Sequence, residues 1–173
     1  MELEDDDIFI YELIDGEIVK RTSPSPRHQR TSKKLMRALD VFVEENQLGE
    51  VFSAPTDVYF DGENESGVVP DVFFIAKDRG FIILEDDYIN GAPDLIVEVI
   101  SPGSVFRDRF QKKDLYQRFA VKEYWLVDVQ NATVEIYVMR ENAYSLHQMG
   151  ELSGKVASVV LPGFEVDLQT LFE

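Results

Sequence analysis

The stretch "PDLIVEVIS", residues 93–101, constrains the fold most, because it has the pattern of a strand that is apolar on both faces. Such a strand is typical of the buried centre of a sheet that is covered on both sides. Asp94 and Glu98 interrupt the apolar run, and a buried carboxylate is costly unless it is paired or bound to a metal ion. Alternation along a strand places both acids on one face.

Helix signals lie on either side of this strand. Ser25 followed by Pro26 is a cap residue followed by proline at the first helical position, and it predicts a helix from about 26 to 46 that stops near Gly49. A second helix is predicted over about 105–119, and its apolar residues Phe106, Phe110, Leu115 and Phe119 are expected to pack inward.

Strand patterns fill the rest of the chain. Asp15-Gly16 is a favoured two-residue turn and predicts an N-terminal hairpin, and "TVEIYVMR" with "AYSLHQM" predicts a C-terminal one. Between them, "EVFSAPTDVYF", "VVPDVFFIA", "PDLIVEVIS" and "KEYWLVDV" are further strand segments. The order indicates one mixed α/β domain over residues 1–173, with its core at about 8–168.

Composition excludes several kinds of site. The chain has no cysteine and two histidines, so disulfides, thiolate metal sites and multi-histidine sites are excluded or disfavoured. Any metal would be a hard cation held by oxygen. The sequence lacks an apolar run of the ~20 residues that span a bilayer, and "MELEDDD" is unlike a basic signal peptide, so we expect a cytoplasmic protein without membrane contact.

Charge is strongly segregated within a net charge of −16. Residues 20–37 hold seven bases and no acid, and residues 107–118 hold five bases against two acids. Solvated helix faces would explain both windows, and so would binding of a nucleic-acid backbone. The candidate backbone contacts are Arg27, Arg30, Lys34, Arg37, Arg107 and Arg109.

A second acid interrupts the strand before "PDLIVEVIS". Asp71 lies in "VVPDVFFIA", and it can converge with Glu98 if the two strands are neighbours. Two buried carboxylates repel each other unless a cation lies between them, and Mg²⁺ or Mn²⁺ would fill that role. Lys112, on the following helix, is a candidate for positioning the attacking water or stabilising charge on a phosphate.

These segments resemble a known family. The runs "YELIDGEIVKRTSPSPRHQR", "VVPDVFFIA", "GAPDLIVEVISPGSVFRDRFQKKDLYQRFAVKEYWLVD" and "LPGFEVDL" are similar to the Uma-type restriction-endonuclease family of the PD-(D/E)XK nuclease superfamily. The resemblance implies a restriction-endonuclease-like αβββαβ core and metal-dependent phosphodiester hydrolysis. It places the two conserved acids at Asp71 and Glu98. The superfamily lysine position holds Ile100, which makes Lys112 the candidate lysine.

Three further residues are candidates for auxiliary roles. Glu17 is a candidate ligand within "YELIDGE", His28 for phosphate contact or proton transfer, and Asp94 for a second metal or an outer contact. The three main candidates also have structural interpretations. Glu98 would form an ion pair with an arginine, Asp71 would be a strand-edge acid, and Lys112 would be a surface lysine. Glu12 is expected on the hairpin surface.

Three functions are consistent with these patterns. The first is a DNA endonuclease that uses Mg²⁺ or Mn²⁺, acting as a homodimer because cutting both strands usually requires two sites. The second is a nuclease-fold protein that binds nucleic acid with little or no catalysis, motivated by Ile100 and the negative charge. The third is an assembly module whose acidic surface meets a basic protein partner.

Overall fold

The protein is described by a computed structural model that covers residues 11–21, 23–60, 66–84 and 88–173. Residues 8–10 of the expected core lie outside these ranges. The strands in the described ranges are β1 Tyr11–Ile14, β2 Glu17–Lys20, β3 Gly49–Ser53, β4 Val58–Phe60, β5 Ser66–Val68, β6 Val72–Ala76, β7 Ile89–Asn90, β8 Leu95–Ile100, β9 Glu123–Asp128, β10 Thr133–Arg140, β11 Ala143–Glu151, β12 Lys155–Ala157 and β13 Glu165–Asp167. The helices are α1 Pro26–Glu45, a 3₁₀ helix at Lys77–Ile82, a π-helical segment at Arg107–Lys112, α2 Lys113–Arg118 and α3 Leu168–Phe172.

A six-stranded sheet forms the centre of the molecule. Its strand order is β11-β10-β9-β8-β6-β3, and β8 runs parallel to β9 and antiparallel to β6. In chain order, α1, β3, β6, β8, α2 and β9 form the predicted αβββαβ core. A five-stranded sheet with the order β2-β1-β5-β4-β7 and the β12–β13 pair complete the architecture.

Strand β8 lies in the middle of the large sheet, and all six of its residues are buried. Leu95, Val97 and Val99 join one apolar cluster with the buried face of α1. Ile96 and Ile100 join a second cluster with residues of α2. The strand is therefore covered on both faces, as its sequence predicted.

Helix α1 follows its sequence signals closely. The Ser25 side chain accepts a hydrogen bond from the His28 backbone N–H, with a donor–acceptor distance of 3.2 Å, and Pro26 occupies the first turn. Leu35, Leu39 and Val43 recur at helical spacing and are buried against the sheet. His28, in the first turn of α1, contacts Asp71, which also accepts a hydrogen bond from Val99 of β8. The first turn of α1 therefore lies near the end of β8, at the site described below.

The predicted hairpins are both present. Strands β1 and β2 pair around Asp15 and Gly16, whose φ values of 53° and 79° match the left-handed conformation that this turn requires. Strands β10 and β11 form the C-terminal hairpin, with a register shift between Ile136 and Tyr137.

Two expected strand segments are each divided in two, and the first, "EVFSAPTDVYF", contributes to β3 and β4 in different sheets. "VVPDVFFIA" contributes to β5 and β6, which belong to different sheets. Pro70 lies between them, and its missing N–H prevents it from donating to a sheet ladder. The division leaves Asp71 directly after the break, one residue before β6 begins.

The second predicted helix is present, but its expected packing is wrong for two of its four apolar residues. Leu115 is buried and Phe119 packs against the second cluster. Phe106 and Phe110 are 67% and 60% exposed. The segment instead buries Asp108 and Lys112, which lie four residues apart on the opposite face and have partners inside the molecule.

None of the helices in the described ranges combines the length and the hydropathy needed to cross a bilayer.

Candidate active site

Asp71 and Glu98 lie on neighbouring strands and on the same face of the large sheet. Val72 of β6 pairs with Val97 of β8, and continuing this register by one residue sets Asp71 opposite Glu98. Alternation along the strands places both acids on the side of Phe73 and Ile96, which belong to the cluster that contains α2. The condition under which the two acids can converge, that their strands are neighbours, is therefore met.

Asp71 is held by three groups. Its Oδ1 atom accepts a hydrogen bond from Arg21 Nη2 at 2.9 Å, and its Oδ2 atom accepts one from the Val99 backbone N–H at 2.8 Å. Nε2 of His28 lies 3.1 Å from Oδ2. Burial alone would raise the pKa of Asp71, but the hydrogen bond from His28 and the charge of Arg21 outweigh it and lower the pKa to about 2. Asp71 is therefore an ionised carboxylate at neutral pH.

His28 is a buried partner of Asp71, with 4% of its surface exposed. Burial acts to lower its pKa, but the hydrogen bond and charge of Asp71 raise it above the ordinary value. Its other ring nitrogen, Nδ1, lies 3.4 Å from the Ser32 hydroxyl. The structure therefore places this candidate for phosphate contact or proton transfer in the interior, beside a predicted site acid.

Glu98 shares its Oε1 atom between two donors. Lys112 Nζ lies 2.8 Å away and the Tyr116 hydroxyl 2.7 Å away. Burial raises the pKa of Glu98 to about 7; Lys112 opposes this shift, whereas nearby Asp71 and Asp108 add to it. The folded protein therefore keeps the Glu98 carboxyl protonated to a higher pH than an exposed glutamate.

Lys112 joins the N-terminal hairpin to this site. Its Nζ atom lies 2.7 Å from Glu12 Oε1 and 2.8 Å from Glu98 Oε1, and its side chain is fully buried. Burial would lower the pKa of Lys112, but the charges of Glu12 and Glu98 raise it, so the lysine is protonated. The predicted lysine is thus brought to Glu98 by the helix that follows β8.

Glu12 is a third buried carboxylate, so its expected place on the hairpin surface is wrong. Its Oε1 atom accepts a hydrogen bond from the Val69 backbone N–H at 2.9 Å. Its Oε2 atom is buried without a hydrogen-bond partner. That atom forms an ion pair with Arg107, whose Nε atom lies 3.6 Å away. Burial would raise the pKa of Glu12, but Lys112 and Arg21 lower it.

The π-helical segment supplies the remaining charges. Arg107 Nε lies 3.1 Å from Asp108 Oδ1, and the backbone carbonyl of Asp108 accepts a hydrogen bond from the Tyr124 hydroxyl at 2.9 Å. π-Helical turns occur frequently at functional sites. Together with the residues above, the segment completes a network of four carboxylates with three permanent cations and His28.

The donor set matches a hard divalent ion in its chemistry. Glu12 Oε2 lacks a hydrogen bond, and Asp71 and Glu98 face each other across neighbouring strands. Within the described ranges, no group of three or more His, Asp or Glu side chains is arranged to hold a metal ion. Mg²⁺ commonly binds through one or two carboxylates and keeps several water ligands, so a pair of acids is the smallest protein ligand set that such an ion would need here.

Asp94 belongs to a separate cluster. It lies just before β8, where its Oδ2 atom accepts a hydrogen bond from the Ala76 backbone N–H at 2.8 Å. Its Oδ1 atom lies 3.1 Å from Arg79 Nη1 and 2.6 Å from Lys122 Nζ. The structure therefore pairs Asp94 with cations at the other end of the strand from Glu98.

Glu17 and the predicted backbone-binding bases of α1 are exposed, whereas the two predicted bases of the π-helical segment have internal partners. Glu17 is exposed at the start of β2, opposite Ile14. Arg27, Arg30, Lys34 and Arg37 are exposed on α1. Arg107 and Arg109 instead point to internal carboxylates, and Arg109 Nη1 lies 2.7 Å from Glu135 Oε1.

Sequence patterns missed several members of the network: Glu12, Arg21, Arg107 as an internal cation, Asp108 and Tyr116. For Glu12 a weak signal exists, because alternation in β1 puts it on the same face as the buried Ile14. Arg21 follows the end of β2, where no periodicity indicates which way its side chain points.

Comparisons with known proteins identify the fold and the family of the chain. A crystal structure of "a putative nuclease belonging to DUF820" from Anabaena variabilis superposes with a TM-score of 0.76 at 19% identity, covering 94% of this chain and 89% of that one. An uncharacterised protein, sll1609 of Synechocystis sp., is 32% identical over 127 residues, which are 73% of this chain and 70% of that protein. The Uma2 family, described as "Putative restriction endonuclease", matches residues 1–169. The chain belongs to the Uma2 family.

Proposed function

We propose that this protein is a metal-dependent endonuclease that hydrolyses phosphodiester bonds in DNA. The observation that carries the proposal is the cross-strand pair Asp71 and Glu98, with Lys112 Nζ 2.8 Å from Glu98 Oε1. The nuclease-like fold and the family support the same reaction class. Mg²⁺ or Mn²⁺ is the proposed ion, and a homodimer in the cytoplasm is the proposed form.

The chain's own residues fit distinct tasks in this reaction. Asp71, whose pKa is lowered to about 2, is ionised and would hold the ion together with Glu98. When bound, such an ion polarises the phosphate and lowers the pKa of a coordinated water. In the metal-free protein the pKa of Glu98 is raised to about 7, and ligation to a cation would lower it and leave the carboxylate ionised. Lys112 supplies a fixed positive charge beside Glu98.

The burial and the internal charge pairing of the network support a second function. Glu98 and Lys112 are 1% and 0% exposed, and Arg21 neutralises Asp71. A nuclease-fold protein that binds nucleic acid or a protein partner with little catalysis would need no more than this self-compensated network. The two functions differ in whether a divalent ion displaces the internal cations.

The test combines cleavage of supercoiled plasmid with thermal unfolding across a titration of Mg²⁺ and Mn²⁺. We expect the wild-type protein to cut DNA and to gain thermal stability with metal. Asp71→Asn and Glu98→Gln should lose both effects. Asp94→Asn is the matched control, because it removes a buried carboxylate at the other end of β8.

Unchanged cutting in both Asp71→Asn and Glu98→Gln would refute the assignment. DNA binding without cutting or metal-induced stabilisation, in folded wild-type protein, would favour the second function. If the product is linear DNA without a nicked intermediate, two sites act together, which supports the homodimer.

A further inference from the structure

A cleft beside α1 reaches the site from outside. It has a volume of about 240 Å³, and its lining includes Gln29, Ser32, Lys33 and Ser53, together with Asp71. Asp71 keeps 5% of its surface exposed, whereas Glu98 and Lys112 keep 1% and 0%. Of the predicted acid pair and lysine, Asp71 is therefore the residue that a phosphate in this cleft can approach. We call this cleft beside α1 the α1 cleft.

Most bases near α2 already have intramolecular partners. Arg107 pairs with Glu12 and Asp108, and Arg109 pairs with Glu135. Arg118 Nη2 lies 2.6 Å from Asp15 Oδ1, and Lys113 Nζ lies 3.5 Å from the centre of the Tyr137 ring. A phosphate that bound these side chains would have to break existing contacts, so this basic window is poorly suited to DNA.

The bases of α1 differ in this respect. Arg30, Lys33 and Arg37 are exposed and make no ion pair with any described residue. Their spacing of three and four residues places them along one stripe of the helix, and Lys33 also lines the α1 cleft. Lys34 lies beside them in sequence, but its Nζ donates to the Thr170 backbone carbonyl at 2.7 Å.

We propose that the backbone of duplex DNA lies along the Arg30–Lys33–Arg37 stripe, with one phosphate in the α1 cleft above Asp71. This inference rests on the proposed function and identifies where its substrate binds. The Lys33 ammonium, the Gln29 amide and the Ser53 hydroxyl are hydrogen-bond donors that suit phosphate oxygens. Arg21 and His28 neutralise Asp71 at the floor of the cleft, so a phosphate can approach it.

Charge complementarity favours DNA as the occupant. The whole chain carries −16, so a polyanion is repelled by most of the surface and must meet a local group of bases. The stripe supplies three unpaired positive charges on a single helix face. A basic protein partner would instead be repelled here and drawn to the acidic remainder of the molecule.

The experiment measures binding of the full-length protein to a fluorescently labelled DNA duplex, by anisotropy in EDTA, at a series of KCl concentrations. Lys33→Gln should weaken binding roughly five- to tenfold at 0.1 M KCl, and should reduce the slope of log K against log salt by about 1. Lys34→Gln and Lys113→Gln are controls with the same charge change, and we expect both to bind like the wild-type protein.

Each result bears on one proposal. Equal weakening by Lys34→Gln or Lys113→Gln, or unchanged binding by Lys33→Gln, would overturn the α1 stripe as the docking surface. Stronger binding to an RNA duplex through the same lysine would overturn DNA as its ligand. EDTA removes divalent metal, so DNA binding is measured separately from cleavage. If the protein binds DNA through Lys33 but cuts no DNA when Mg²⁺ or Mn²⁺ is added, only the proposed function is overturned.

Discussion

At the scale of single residues, the molecule keeps ionised side chains in its interior by pairing them closely. Lys112 is fully buried between two carboxylates, each within 2.8 Å of its Nζ atom. Removing one partner of a buried pair typically costs 3–5 kcal/mol, because the other charge is left uncompensated. The network therefore ties Glu12 of the hairpin to Glu98 of β8, and it makes the site sensitive to protonation.

This sensitivity predicts how the stability of the metal-free protein changes with pH. The folded protein keeps a proton on Glu98 up to pH about 7, whereas the unfolded chain releases it near 4.5. The folded state thus binds more protons between these values, and the free energy of unfolding falls by ~3 kcal/mol as pH rises through them. His28, whose pKa is also raised, acts in the same direction.

Urea unfolding at pH 5 and pH 8 measures this difference. We expect the wild-type protein to be more stable at pH 5, and Glu98→Gln to lose most of the difference. Asp94→Asn should retain it, because its lowered pKa keeps Asp94 ionised at both pH values. Asp71 stabilises the folded protein equally at pH 5 and pH 8, and its contribution is lost only as pH falls from 3.8 towards 2. If the free energy of unfolding of the wild-type protein rises between pH 5 and pH 8, the raised pKa of Glu98 is contradicted.

At the scale of elements, the segment after β8 reverses the usual helix pattern. Its charged residues Asp108 and Lys112 face inward, and its aromatic residues Phe106 and Phe110 face outward, with ring centroids 5.4 Å apart. The next turn, in α2, returns to apolar burial with Leu115. The π-helical turn thus contributes charged residues to the site, and the following turn contributes an apolar residue to the core.

This division predicts unequal effects of two substitutions to alanine. Leu115→Ala should lower the free energy of unfolding by about 2–5 kcal/mol, because it opens a cavity in the second apolar cluster. Phe110→Ala should change it by no more than about 0.5 kcal/mol, because that ring is 60% exposed. Urea unfolding of both variants at one pH tests this, and equal losses would mean that Phe110 packs as its sequence pattern suggests.

At the scale of the whole molecule, charge acts in two opposing ways. The chain has 33 acids and 17 bases, so its surface repels itself. The internal network is buried and therefore screened less by salt than the surface. Salt should stabilise the protein while weakening its contact with DNA.

Two measurements over the same salt range check this prediction. Between 50 and 200 mM KCl the midpoint of thermal unfolding should rise. The dissociation constant for duplex DNA should rise roughly 40-fold, if three phosphates are contacted at a slope of about −0.9 each. Replacing Arg30, Lys33 and Arg37 by glutamine should remove most of the salt dependence of binding and leave that of unfolding. A midpoint that falls with salt would show that screened ion pairs outweigh surface repulsion.

Local patterns predicted much of the framework. The buried strand β8, helix α1 and both hairpins follow from burial periodicity, cap residues and turn residues, all of which act within a few positions. The sequence also singled out Asp71 and Glu98 as acids that interrupt apolar segments, and the sheet pairing brings them together. The prediction for Phe106 and Phe110 was wrong because periodicity identifies two faces of a helix without saying which one meets charged partners.

The sequence by itself determined the central strand, the helix before it and the acids that need a partner, because these depend on neighbours along the chain. Only the tertiary structure decided what those partners are. Lys112 meets Glu12 and Arg21 meets Asp71 across 100 and 50 positions of chain, respectively. No local preference encodes such contacts, because they form only when the hairpin closes over the sheet and removes the charges from water together.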